Sequence, residues 1–152
     1  MKYILALAIL CCFSFTANAQ VQNPTYNKPL ADSLGADDYG MKQYVLAILK
    51  TGSNTTTDKE KLNAYFRGHM ENIGRLAKEG KLVVAGPLGK NDKAYRGIFI
   101  LDVQTVEEAR KLVETDPAVK AKIFEVELYP WYGSAALPMY LPAHSKIEKQ
   151  KP

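Results

Sequence analysis

The chain has 152 residues, 47% of them hydrophobic, with 20 basic and 16 acidic side chains and a formal charge of +4. That is enough apolar material for one domain with a sizeable core. The positive excess gathers in the closing stretch, where Lys146, Lys149 and Lys151 outnumber Glu148, so it marks a solvated tail and excludes a nucleic-acid surface.

Lys2 is followed by an apolar run from Tyr3 to Phe15 and then by Ala17-Asn18-Ala19, the pattern of a secretory signal peptide cut after Ala19. The run is short for a bilayer crossing, so no membrane span is expected after cleavage, and the protein is expected to be secreted or periplasmic. Cys11 and Cys12 suggest a lipoprotein, but Leu10 before them is larger than such a cleavage site normally accepts. Both cysteines would leave with the signal, so packing alone, without disulfides, would stabilise the exported chain. Residues 20–40, with Pro24 and Pro29 and no periodicity, read as a leader or linker.

From Met41 the pattern changes. Tyr44 to Leu49 is a continuous apolar run, read as a strand buried on both faces, and Thr51 to Thr56 is its polar exit loop. Thr57 followed by Glu60 predicts a capping box, and Gly80 a stop, for a helix of about six turns. Leu82 to Ala85 is a second strand closed by Gly86-Pro87. Leu88 to Tyr95 is a turn and Ile98 to Leu101 a third strand. Thr105 and Glu108 predict a second capping box, for a helix through about Val113, and Asp116-Pro117 then breaks the chain. Ile123 to Tyr129 alternates Phe124, Val126 and Leu128 with Glu125 and Glu127, and Pro130 is expected to end that strand. Residues 41–132 thus form the domain and 133–152 a C-terminal tail. The order βαββαβ predicts an α+β, ferredoxin-like fold, an antiparallel four-stranded sheet backed by two helices.

Two helices cover only one face of such a sheet. The strands are too apolar for the other face to stand bare, so a homodimer with sheet-to-sheet packing is expected. Trp131 to Leu141 would either clasp the neighbour or fold back over its own sheet.

One residue on the long helix is out of keeping with its neighbours. With successive residues about 100° apart and Leu62 at zero, His69 falls at about −20°, between Leu76 at about −40° and Ile73 at about +20°, with Phe66 at about +40°. The imidazole therefore faces the core, where a ring nitrogen needs a partner. Either the fold satisfies a structural histidine or this residue works in a pocket between helix and sheet.

The segments Arg67-Gly68-His69-Met70, Glu79-Gly80-Lys81-Leu82-Val83-Val84-Ala85-Gly86-Pro87, Arg96-Gly97 and Asp116-Pro117-Ala118-Val119-Lys120-Ala121 resemble the YciI-like (YCII-related) family over roughly residues 42 to 132. The resemblance implies a dimeric α/β barrel, in which two ferredoxin-like domains pair through their sheets. It also implies a histidine and an aspartate as active-site residues, at His69 and Asp116. The chain departs from the family pattern at Phe66, Ile98 and Ala118, each less polar or smaller than is common there, which implies a less polar pocket.

A neutral imidazole held by a carboxylate is a proton carrier suited to neutral pH, so His69 and Asp116 are the candidate catalytic pair. Phe66 and Arg96 are candidate substrate-binding residues. Gly86-Pro87-Leu88-Gly89-Lys90 lacks P-loop spacing, and there is no Gly-x-Ser-x-Gly elbow. With His69 and His144 as the two histidines, no metal site and no cofactor, haem included, is expected. The expected function is general acid/base chemistry on a small organic molecule, through isomerisation, elimination or a related proton transfer. The alternative is a non-catalytic dimeric module that binds a small ligand or serves in a stress response.

Overall fold

The computed structural model describes residues 23–150, so the predicted signal segment, with Cys11 and Cys12, lies outside the described residues. Its central strand, β1 (Met41–Thr51), grows from the apolar run that begins at Tyr44. β1 pairs antiparallel with β3 (Tyr95–Leu101) on one side and with β4 (Phe124–Ser134) on the other. β2 (Leu82–Pro87) pairs antiparallel with β3, giving the order β2-β3-β1-β4. With α2 (Lys59–Lys78) and α3 (Val106–Val113) as crossovers, this is the ferredoxin-like α+β arrangement. Among the described residues no helix is long and apolar enough to cross a membrane.

Three local expectations change. The leader contains a helix, α1 (Lys28–Leu34), whose Asn27 side chain accepts from the Leu30 N–H and whose end is turned by Gly35 at φ 68°. Proline in the first turn and glycine just past the end favour helix there without any apolar periodicity. The cap of α2 is Asp58, not Thr57: its carboxylate accepts from the N–H groups of Glu60 and Lys61. An anionic acceptor at the positive end of the helix outcompetes the neighbouring hydroxyl. β4 runs through Pro130 to Ser134, with Pro130 opposite Val45. β4 is an edge strand, and an edge tolerates a residue without an N–H.

Other signals act as read. Gly80, at φ 68°, ends α2 with the Lys81 N–H on the Leu76 carbonyl. Thr105 caps α3 by accepting from the Glu108 N–H, while the Glu108 carboxylate accepts from the Gln104 N–H.

The main core lies between the helices and one sheet face, where Val45, Ala47 and Leu49 of β1 meet Leu76, Phe99 and Phe124. A smaller cluster of Tyr44, Val83 and Ile100 lies apart from it. Trp131 and Leu137 pack against that cluster, so the segment after β4 lies on its own chain's sheet. Leu46, Ile48 and Ile98 share the face opposite the helices and are half-buried, and Tyr129 is exposed.

Candidate active site

Asp116, the candidate partner of His69, occupies the turn where the Asp116-Pro117 pair breaks the chain after α3. A short helix, α4 (Pro117–Lys120), starts immediately after it, and the Asp116 carboxylate Oδ1 accepts from the Ala118 N–H at 2.8 Å. Pro117 suits the first helical position, and the aspartate before it supplies the cap. The second oxygen, Oδ2, lies 2.6 Å from Nδ1 of His69. Asp116 is completely buried, so these two bonds satisfy a carboxylate that water does not reach.

The pairing depends on how α2 approaches α4. Gly68, beside His69, faces Pro117, beside Asp116, and the absence of a side chain at Gly68 lets the two backbones close up. The His69 ring is further confined by Phe99, stacked at 5.9 Å, and by Phe124, edge-on at 5.1 Å. With Asp116 ionised, Nδ1–H donates to it. Nε2 then keeps its lone pair and makes no hydrogen bond with the described residues.

His69 lies in the wall of a cavity of about 780 Å³ with mostly apolar lining, including Leu49, Ile73, Leu82 and Phe99. Arg96, at the start of β3, lines the same cavity, and beside it Gly97 lets β3 come close to β2, since a Cβ there would stand 2.8 Å from the Gly86 carbonyl oxygen. Phe66 does not line the cavity. Its ring lies 5.9 Å from that of Phe124 and it is 39% exposed, because it stands on the flank of the apolar stripe, one turn before His69. Among the described residues there is no cluster of three or more metal-ligating side chains.

Three lining residues were not anticipated: Tyr140, Leu141 and His144. They come from a 3-10 turn (Leu137–Tyr140) and the following helix, α5 (Leu141–Ile147). The Tyr140 hydroxyl donates to the Val83 carbonyl, and burial pushes its phenol above the ordinary value, so it stays a neutral donor. The signal was present: Leu137, Tyr140, Leu141 and His144 are spaced i, i+3, i+4, i+7. Pro138 and Pro142 obscured it, although each sits in the opening turn of its element, where proline is tolerated.

The ferredoxin-like fold thus carries a half-buried His69, paired with a fully buried Asp116, in the wall of a mostly apolar cavity. The YCII-related domain matches residues 43–132, and the chain belongs to that family. Among solved structures it is similar to 5-chloro-2-hydroxyhydroquinone dehydrochlorinase (TftG) from Burkholderia phenoliruptrix AC1100, in complex with 2,5-dihydroxybenzoquinone. The identity is 23%, with 57% of this chain and 92% of that chain covered and a TM-score of 0.40. No curated protein matches the chain.

Proposed function

We propose that this protein is an exported enzyme in which His69 and Asp116 act as a general acid/base pair on a small organic molecule. The observation that carries the reading is the 2.6 Å contact between His69 Nδ1 and a fully buried Asp116 at the wall of a large apolar cavity. Nε2 takes a proton from a carbon made acidic by a neighbouring carbonyl, and the imidazolium so formed is stabilised by the Asp116 carboxylate. In an isomerisation the same proton returns at another atom. In an elimination a leaving group departs from the adjacent carbon as the new double bond forms.

The test is turnover of enols, lactones and hydroxyaromatic compounds by the wild type, by His69→Gln and by His69→Ala. Glutamine keeps a donor for Asp116 and removes the base, so His69→Gln should fold normally and lose activity. Unchanged turnover in His69→Gln would refute the reading. Ligand binding without turnover in the wild type would support the non-catalytic module instead.

The same reading includes sheet-to-sheet homodimerisation, supported by the half-buried Leu46, Ile48 and Ile98 beside the exposed Tyr129 on the face away from the helices. It also includes export. The mass of the protein recovered from outside the cytoplasm should correspond to a chain beginning at Gln20, and an intact Met1 there would reject the cleavage.

A further inference from the structure

The family match ends at residue 132, yet the chain beyond it reaches the cavity. β4 and β2 are opposite edges of the sheet. The chain leaves β4 at Ser134, opposite Met41. Leu137 then packs on Tyr44, Val83 and Ile100, and Tyr140 bonds the Val83 carbonyl of β2. Leu141 and His144 follow in the cavity wall that also holds His69. The segment is a strap, tied at the β2 edge, that closes one side of the pocket.

The strap changes the pocket's chemistry. No acidic side chain lines the cavity, whereas Arg96 and His144 both do. Arg96 makes no ion pair and His144 no side-chain hydrogen bond with the described residues, so both have donors to offer a ligand. An apolar cavity with a few convergent polar groups binds a ligand through its apolar body and orients it through those groups. We infer that Arg96 and His144, the latter delivered by the C-terminal strap, form an anion-binding subsite that orients a small organic acid with its reacting carbon toward His69. This rests on the acid/base reading of His69. Arg96 supplies a permanent charge, and His144 supplies a ring N–H in either tautomer.

The experiment compares two probes of nearly the same shape, benzoate and benzamide, binding to the full chain by calorimetry. Wild type should prefer benzoate by about tenfold or more, the size of one charge-assisted hydrogen bond. Arg96→Ala and His144→Ala should each weaken benzoate about tenfold and leave benzamide unchanged, while His144→Lys, which keeps an N–H donor there, should retain the preference. Deleting residues 141–152 after the Tyr140 tie should weaken benzoate as His144→Ala does. Equal affinity for the two probes, no benzoate binding at millimolar concentration, or equal losses for both probes would overturn the subsite. Loss of turnover in His69→Gln without any benzoate preference would sink the subsite alone. A benzoate preference without His69-dependent turnover would sink the acid/base reading and leave the subsite standing.

Discussion

A Cβ added to Gly68 would stand 2.8 Å from Cγ of Pro117. The helix that carries His69 and the turn that carries Asp116 therefore touch where neither can move closer or tolerate a side chain between them. Gly68→Ala should push α2 away from α4, stretch the His69–Asp116 contact and destabilise the protein by about 1–3 kcal/mol through overpacking. Turnover should fall with it, and adding Pro117→Ala should recover part of both. Denaturant midpoints and rates for the single and double variants check this; a neutral Gly68→Ala would show that the two backbones have room to spare.

Asp116 has two tasks that substitutions can separate. Asparagine keeps an oxygen for the Ala118 N–H but offers His69 an amide N–H in place of a carboxylate. Nδ1 must then accept, and the proton moves to Nε2. Asp116→Asn should lose about 100-fold or more in turnover with modest loss of stability. Asp116→Ala should lose the same turnover and a further cost of about 1–3 kcal/mol, because the Ala118 N–H loses its acceptor. If asparagine preserved the rate, the carboxylate would have no part in the proton transfer.

Alkaline pH should weaken the fold through Tyr44. Its phenol is fully buried and donates to the Ser134 carbonyl at 2.9 Å, while burial first and the Asp102 carboxylate second push its pKa up to about 12. Between pH 10 and about 12 the unfolded chain releases this proton while the folded one retains it, so folding stability falls as pH rises. A shift of this size is worth roughly 3 kcal/mol once the pH passes both values. Urea midpoints measured from pH 8 to 11.5 should fall more steeply for wild type than for Tyr44→Phe; parallel curves would assign the loss to other groups.

The part of the outer sheet face that Trp131 and Leu137 leave uncovered makes a prediction about assembly. Ile48 and Ile98 stand opposite each other on β1 and β3, half-buried in the single chain. Lysine at either position should leave the helix-side core intact and convert a dimer to a monomer in sedimentation at micromolar concentration. A wild-type chain that sediments as a monomer there would remove the sheet-to-sheet pairing.

Much of the fold was legible because its signals are local and redundant. Gly80 stops a helix, Thr105 with Glu108 starts one, and the alternation of Phe124, Val126 and Leu128 with glutamates marks a strand, each by backbone chemistry within a few residues. The position of His69 on the apolar stripe likewise pointed to a polar group on the core side. What periodicity could not show was which partner that ring would meet. Asp116 read equally well as a chain break, and its cap on α4 depends on Pro117 starting a helix too short to show a repeat. Phe66 lies on the flank of the stripe, about 60° round the helix from His69, and the cavity begins one turn further along, so its ring packs beside Phe124 and outside the lining. The strap was missed for another reason: an apolar stripe at helical spacing lay under two prolines, which read as breakers when they stood at first-turn positions.

The Tyr140 hydroxyl on the Val83 carbonyl has an effect beyond the pocket. Strand margins with bare amides and carbonyls are templates on which foreign chains can add, the first step of β-aggregation. Here the chain's own phenol occupies one carbonyl of the β2 margin, and the other margin presents Pro130, which has no amide hydrogen to donate, with Glu125 and Glu127 nearby on the same strand. Growth of the sheet sideways is therefore discouraged on both flanks, which leaves the sheet's broad face as the surface through which another chain can add.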